Sequence, residues 1–243
     1  MNTAFPKPLV FVDVVIFSVK NDRLQVLLVK RGEAVDEPFP GYWALPGGFV
    51  DTVRDTTLEN CAKRKLHEKT GVEAAYLEQL GSWGSVSRDP RGWSATHVYF
   101  ALMSSDHLDL RAGGNATDAV WMSIEGLRVK DKLAFDHAEI LKSAITRLRG
   151  KVEYTSLPAF LMPQEFTLSE LQRIYEILLD RPIEKKSFRT RVLATDLLEQ
   201  INRRREGANR PAQLYRLANR KEPIFFTRAL VAHASPPNRP RAR

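Results

Sequence analysis

The run Trp43-Ala-Leu-Pro-Gly-Gly-Phe-Val50 is strand-like but broken by Pro46-Gly47-Gly48, and it leads into a helix over about Thr57–Lys69 that Gly71 closes. A strand, a Gly-Gly turn and a helix therefore follow in order, and the rest of the chain must fold around that sequence of elements. Leu9–Val19 and Leu24–Val29 are rich in Val, Ile, Leu and Phe and flank Lys20–Arg23, which contains Asn21-Asp22; they read as a hairpin. Strand-like runs return at Ala75–Val86, Ala95–Met103 and Ala119–Met122. A second amphipathic helix, about His137–Arg149, carries Ile140, Leu141, Ile145 and Leu148 on one side. The expectation for residues 1–150 is a mixed sheet with helices packed on it, an α/β fold.

Gly150–Gln164 has no sustained period and contains Pro158 and Pro163, so residues 151–166 read as a linker. Beyond it, Thr167-Leu-Ser-Glu170 matches a capping box. Leu168, Leu171, Ile174, Tyr175, Leu178 and Leu179 then recur at helical spacing until Asp180-Arg-Pro182. A second helix is expected over about Lys185–Glu199, with Phe188, Val192 and Leu198 near one side. A basic stretch, Asn202–Arg205, a loop through Pro211 and a strand-like Gln213–Leu217 follow. Helix, turn, helix, hairpin is the order of a winged helix, placed at 167–230, and residues 231–243 read as a disordered tail.

Charge divides along the same boundary. Residues 1–150 hold 19 Lys and Arg against 19 Asp and Glu, and residues 151–243 hold 18 against 10, so the whole net charge of +8 falls on the second segment. Such confinement favours a polyanion, with double-stranded DNA the leading partner. Lys185, Lys186, Ser187, Arg189 and Arg191 are placed in or beside the major groove, and Arg203, Arg204, Arg205, Asn209 and Arg210 on the wing. A single cysteine, Cys61, rules out an intrachain disulfide framework or a cysteine-based zinc site and reads as buried packing. The start of the chain lacks a signal-peptide pattern and no apolar run approaches about 18 residues, so a cytoplasmic protein without a membrane partner is expected.

Gly48 and Arg64-Lys-Leu-His-Glu-Lys-Thr-Gly-Val72 resemble a Nudix box, G-x5-E-x7-R-E-U-x-E-E-x-G-U with U apolar. Arg64, Leu66, Glu68, Gly71 and Val72 match. Gly48, however, lies 16 positions before Arg64 instead of 14, Arg54 or Thr56 falls where the early glutamate belongs, and Lys65 and Lys69 replace glutamates. In the family, three carboxylates at i, i+3, i+4 gather Mg²⁺ around a diphosphate. Lys65, Glu68 and Lys69 change that face from a formal −3 to +1. Ammonium groups cannot ligate a hard cation, so neither a bound metal nor appreciable hydrolysis is expected, and Glu68 is expected to pair with a lysine or with Arg64. Fixed lysines could instead hold a diphosphate without cleaving it. Further candidate ligand contacts, beside Lys65 and Lys69, are Arg31, Trp43, Arg64, Glu68, Arg88, Arg91 and Trp93. His137 reads as a helix-start residue.

Leu45-Pro-Gly-Gly-Phe-Val-Asp51, Arg88-Asp-Pro-Arg-Gly-Trp-Ser94, Leu133-Ala-Phe-Asp-His137 and Lys186-Ser-Phe-Arg189 together resemble the Nudix-related, NrtR-like transcriptional regulators of NAD metabolism. The resemblance runs from Pro8 to about Leu217. It implies a Nudix fold joined to a winged helix, and a dimeric repressor of NAD-synthesis or salvage genes that leaves a palindromic operator on binding ADP-ribose as effector, with no cofactor. Two other readings stand beside it: an ADP-ribose or nucleoside-diphosphate pyrophosphatase with a basic appendage, and a sugar-responsive regulator of the same architecture.

Overall fold

Residues 11–18 of the first strand are buried without a break, the pattern of a strand covered on both faces. The computed structural model describes residues 7–34, 37–71, 74–104, 116–127, 133–206, 211–220 and 222–226. In strand β1 (Leu9–Lys20), Val12, Val14 and Ile16 pack with Cys61, Ala62 and Leu66 of helix α1 (Leu58–Thr70). The alternate residues Val15 and Phe17 pack with Ile140, Leu141, Ala144 and Leu148 of helix α2 (His137–Val152). Period-two alternation thus feeds two helices from one continuous apolar run.

Around β1 lie β2 (Arg23–Arg31), β3 (Trp43–Ala44), β4 (Gly47–Phe49), β5 (Tyr76–Ser85), β6 (Ser94–Leu102) and β7 (Ala116–Ser123). The order is β3-β2-β1-β6-β5, with β4 also on β1 and β7 on β2. The β1–β6 pair is parallel and the others antiparallel, which makes the expected mixed sheet. The β1–β2 hairpin turns through Asn21 and Asp22 at φ 52° and 56°, left-handed values that these two residue types tolerate. Helix α1 starts where Thr57 Oγ1 accepts from Asn60 N at 3.0 Å and ends at Gly71, φ 71°.

The basic segment forms a short 3₁₀ helix (Leu157–Leu161), β8 (Phe166–Thr167), α3 (Leu168–Leu179), α4 (Lys185–Leu193), β9 (Leu198–Arg205) and β10 (Ala212–Leu217), with sheet order β8-β10-β9. The capping box forms in both directions, Glu170 N to Thr167 Oγ1 at 3.2 Å and Thr167 N to Glu170 Oε2 at 2.7 Å. This is a winged helix.

Two expectations need correction. The second helix of the basic segment ends at Leu193, not Glu199. Thr195 Oγ1 donates to Val192 O at 2.7 Å and accepts from Leu197 N at 3.4 Å, a local turn that competes with the helix and releases Leu198 into a strand. Arg203, Arg204 and Arg205 therefore lie on β9, the first strand of the wing. Residues 151–166, read as a linker, are packed: α2 continues to Val152, and Leu157, Phe160, Leu161 and Met162 are buried in the same cluster as the sheet, α2 and α3. A five-residue 3₁₀ turn is too short to show periodicity in the sequence. The Tyr76 ring lies 5.4 Å from that of Phe160, and Tyr175 Oη donates to Thr155 O at 3.0 Å. Among the described residues no helix is long and apolar enough to cross a membrane. The 231–243 tail lies outside the described residues.

Candidate functional site

Gly47 and Gly48 do more than turn the chain. A Cβ on Gly47 would lie 1.9 Å from Asp13 Oδ1, and Gly48, at φ 144°, would place one 3.0 Å from Lys65 Nζ. Glycine thus lets β4 approach Asp13 on β1 and Lys65 on α1, and these elements enclose a cavity of about 330 Å³.

Asp13 forms its floor, 6% exposed. Thr96 Oγ1 donates to Asp13 Oδ2 at 2.8 Å, while His137 Nε2 and an Arg88 terminal nitrogen lie 3.6 and 3.7 Å from it. Burial pushes the Asp13 carboxyl up, but His137, Thr96 and Arg88 outweigh it and hold the pKa below its usual value, so Asp13 stays ionised. His137 Nδ1 accepts from Leu45 N at 3.0 Å, which places the imidazole proton on Nε2, toward Asp13. The first residue of α2 is thereby tied to the strand–turn segment 92 positions earlier.

The cavity wall is cationic. Arg31 pairs with Glu37, donates through Nε to Pro38 O at 2.7 Å, and stands over the Phe135 ring, 5.0 Å from its centroid. Arg88 grips Asp136 with two bonds of 2.9 Å. Arg91 grips Asp89 at 3.0 and 2.8 Å, and its guanidinium lies 5.4 and 5.2 Å from the Phe11 and Phe49 rings. Lys65, Glu68 and Lys69 enter from α1. Lys69 is 8% exposed; burial pushes its ammonium pKa down, Glu68 opposes that and Lys65 adds to it.

Arg31, Lys65, Glu68, Lys69, Arg88 and Arg91 thus converge on the cavity, and Arg64, Trp43 and Trp93 do not line it. Arg64 turns to Asp55 and to Glu68, 2.9 Å away. Trp43 is half-buried against the apolar core, with its carbonyl accepting from Ala134 N at 2.8 Å. Trp93 is 52% exposed. The carboxylate that meets Arg64 is Asp55, where the pattern pointed to Arg54 or Thr56. Sequence reading also missed Asp13, Asp89, Phe135 and Asp136. An acidic residue inside an otherwise apolar strand was the available signal for Asp13, and the Ala134-Phe-Asp-His137 motif for the others at α2.

The donor set does not suit a hard dication. Glu68 is engaged by Arg64, two ammonium groups flank it, and among the described residues no group of three or more His, Cys, Asp or Glu is placed to hold a metal.

On the winged helix, Lys185 and Lys186 are exposed at the start of α4, where the Glu184 carboxylate accepts from Lys186 N at 2.9 Å and Ser187 N at 2.6 Å. Arg189 donates to Ser169 Oγ on α3 at 3.1 Å, and Arg191 is half-buried. Arg203 pairs with Glu165 and Arg205 with Glu170, while Arg204 points to the other side of β9 and is exposed. Asn209 and Arg210 lie outside the described residues.

Fold and cavity together define a Nudix domain built onto a winged helix. Comparison with known proteins gives the same division: residues 10–144 match the NUDIX domain model, and residues 158–217 match the NrtR DNA-binding winged helix domain. The chain is 46% identical over 226 residues, 93% of its length and 88% of the relative's, to the ADPR responsive transcriptional repressor NtrR of Acinetobacter baylyi. The crystal structure of Shewanella oneidensis NrtR complexed with a 27mer DNA superposes with a TM-score of 0.82 at 40% identity, covering 90% of this chain and 98% of that one. The Nudix domain of the same Shewanella protein, cocrystallised with ADP ribose, matches 61% of this chain and 93% of that one at 41% identity and a TM-score of 0.55. The chain belongs to the NrtR family.

Proposed function

We propose that this protein represses genes of NAD synthesis or salvage in the cytoplasm, holding its operator as a homodimer and releasing it when ADP-ribose or a closely related nucleotide enters the Nudix cavity. Residues 1–150 sense the effector and residues 167–230 bind the duplex. The observation that carries this reading is the exchange on α1: Lys65 and Lys69 line the cavity at positions where the Nudix pattern has carboxylates. Cationic side chains can bind a diphosphate through charge-assisted hydrogen bonds, but they do not activate a water as a metal does. Binding is thereby separated from hydrolysis. The choice of ADP-ribose is supported by the response named for the Acinetobacter relative and by the ligand of the Shewanella complex.

The path from cavity to DNA runs along α2. Its first residue, His137, lines the cavity, and its far end at Val152 leads to Thr155, whose carbonyl receives the Tyr175 hydroxyl of α3. Because residues 157–162 are core and not a flexible tether, a shift of α2 tilts the winged helix instead of being absorbed between domains. The effector acts by favouring a dimer geometry whose two winged helices no longer match the half-site spacing. A gel shift on the upstream DNA of neighbouring genes tests this. A retarded complex that ADP-ribose dissolves is expected, and a complex indifferent to ADP-ribose would sink the reading.

A further inference from the structure

Among the described residues, polar contacts hold α3 and its end against the Nudix half at three places. Two are on the side of α2: Tyr175 Oη donates to Thr155 O at 3.0 Å, and a terminal nitrogen of Arg181 donates to Glu153 Oε1 at 3.0 Å, with Glu153 and Thr155 just beyond the end of α2. That side is packed, because Leu157, Phe160 and Leu161 share one buried cluster with Leu171 and Leu178 of α3. The third contact is of another kind. Arg173 Nε stands 3.3 Å from Asp22 Oδ1 at the tip of the β1–β2 hairpin, and both side chains are more than half exposed. They meet at an open cleft of about 940 Å³ between hairpin and winged helix, which Glu165 and Arg203 also line. One side of α3 is therefore fixed by core, and the other is held by an ion pair with solvent around it.

The hairpin that carries Asp22 begins and ends at the effector cavity. Asp13, on the cavity floor, lies nine positions before Asp22 on β1, and Arg31, on the wall, nine positions after it at the end of β2. At about 3.3 Å per residue the hairpin reaches roughly 30 Å from cavity to tip. Helix α2 starts at the cavity with His137 and, over 16 residues at about 1.5 Å each, reaches roughly 24 Å. Two struts of similar length thus join the cavity to α3. Residues 11–18 of β1 are buried on both faces, so the strand has no room to bend and a displacement at Asp13 is carried to the tip. We infer that Asp22 and Arg173 are positioning residues: with the packed α2 side as pivot, their ion pair sets the angle of the winged helix, and a movement of one strut against the other turns α3. The inference rests on the ADP-ribose reading above and adds a second route to the one along α2. Neither residue lines the cavity, and an exposed pair adds little to stability, so replacing it should change the angle and leave the fold intact.

Charge exchange in the full chain tests it with two readouts. Spin labels on Lys63→Cys in α1 and Thr190→Cys in α4, both exposed positions, report the distance between the two halves without effector or DNA; Cys61 is buried and stays in place. Diluting the labelled chain into unlabelled chain keeps the distances within one protomer. A narrow distribution is expected with Asp22 and Arg173 present, and a broader or shifted one in Asp22→Arg and in Arg173→Asp. The double variant, Asp22→Arg with Arg173→Asp, should recover the narrow distribution, because the ion pair re-forms with its ends reversed. The second readout is coupling, the ratio of operator dissociation constants with and without saturating ADP-ribose. Each single variant should lower that ratio about threefold or more and the double variant should restore it, while ADP-ribose affinity in the absence of DNA stays within about twofold. If either readout fails to respond in the single variants, or the double variant fails to restore it, the positioning role is overturned and the ADP-ribose reading stands. An operator complex of the unaltered chain that ADP-ribose does not weaken would overturn both.

Discussion

Arg64 holds Asp55 in a two-bond clamp, Nε to Oδ1 at 2.7 Å and a terminal nitrogen to Oδ2 at 2.5 Å, and thereby closes the 51–57 loop onto helix α1. Asp55 is 2% exposed and also accepts from Asp51 N at 2.8 Å. The two extra positions between Gly48 and Arg64 are accommodated in a loop that is tied at both ends to its own carboxylates.

The clamp has a pH signature. Arg64, chiefly, holds the Asp55 carboxyl well below the usual carboxylate range. A depressed native pKa contributes stability that is fully present above the unfolded value of about 3.9 and is lost as pH falls through it toward the native value. Asp55→Asn should cost about 2 kcal/mol at neutral pH, because Arg64 loses its bidentate partner, and the loss should shrink as pH falls below about 4. Thermal unfolding between pH 3 and 7 checks this; a penalty independent of pH would mean that the hydrogen bonds matter and the charge does not.

Hydrolysis should be absent or very weak. Lys65→Glu combined with Lys69→Glu restores the i, i+3, i+4 carboxylates, yet Glu68 stays engaged with Arg64 and no early glutamate is regained. Some Mg²⁺ binding without full activity is therefore the expected result. Turnover of ADP-ribose by the unaltered chain near ~1 s⁻¹, an ordinary enzyme rate, would refute this.

Effector affinity should depend on Lys65 more than fold stability does, since Lys65 lines the cavity and is only partly buried. A charge-assisted contact contributes roughly 1.5–3 kcal/mol, so Lys65→Ala should weaken ADP-ribose about ten- to a hundred-fold. Burial pushes the Lys69 ammonium down, so its share of the binding should fade as pH rises at values below the ordinary lysine pKa of about 10.4. Titrations from pH 7 to 10 should show that decline, and Lys69→Arg should flatten it, because a guanidinium keeps its charge.

How much of this was legible follows from the reach of each signal. Cap chemistry located Gly71 and Thr167, and periodicity found α2 and α3, because both act within about one turn. It carried the second winged-helix helix too far, since the Thr195 turn that stops it depends on two hydroxyl contacts with no compositional mark. Lys65 and Lys69 could be placed on one face from spacing alone. The pairing of Arg88 with Asp136, 48 positions away, and of Leu45 with His137, 92 positions away, is set by sheet topology, so no local pattern could show that the loop arginines arrive already bound to carboxylates.

Arginines already paired with carboxylates inside the protein change what is expected on DNA. One winged helix covers too little of a duplex for strong specificity, whereas two related by a two-fold axis can read half-sites about 34 Å apart, so a homodimer on a roughly palindromic operator is expected. The start of α4, with Lys185 and Lys186 exposed and Ser187 half-buried, is expected to enter or flank the major groove, with Arg189 and Arg191 beside it. On the wing, Arg203 and Arg205 are neutralised by Glu165 and Glu170, whereas Arg204 faces away from both. Each phosphate neutralised contributes about −0.9 to the slope of log K against log salt. Arg204→Ala should therefore flatten that slope by about one unit per half-site, and Arg203→Ala by distinctly less, because its charge is already matched inside the protein. Glu165→Gln, which frees Arg203, should steepen the slope and tighten non-specific binding. Binding isotherms between 50 and 300 mM salt measure all three; equal flattening by Arg203→Ala and Arg204→Ala would show that DNA pulls Arg203 off Glu165, and a monomer in sedimentation at DNA-binding concentrations would overturn the two-fold arrangement itself.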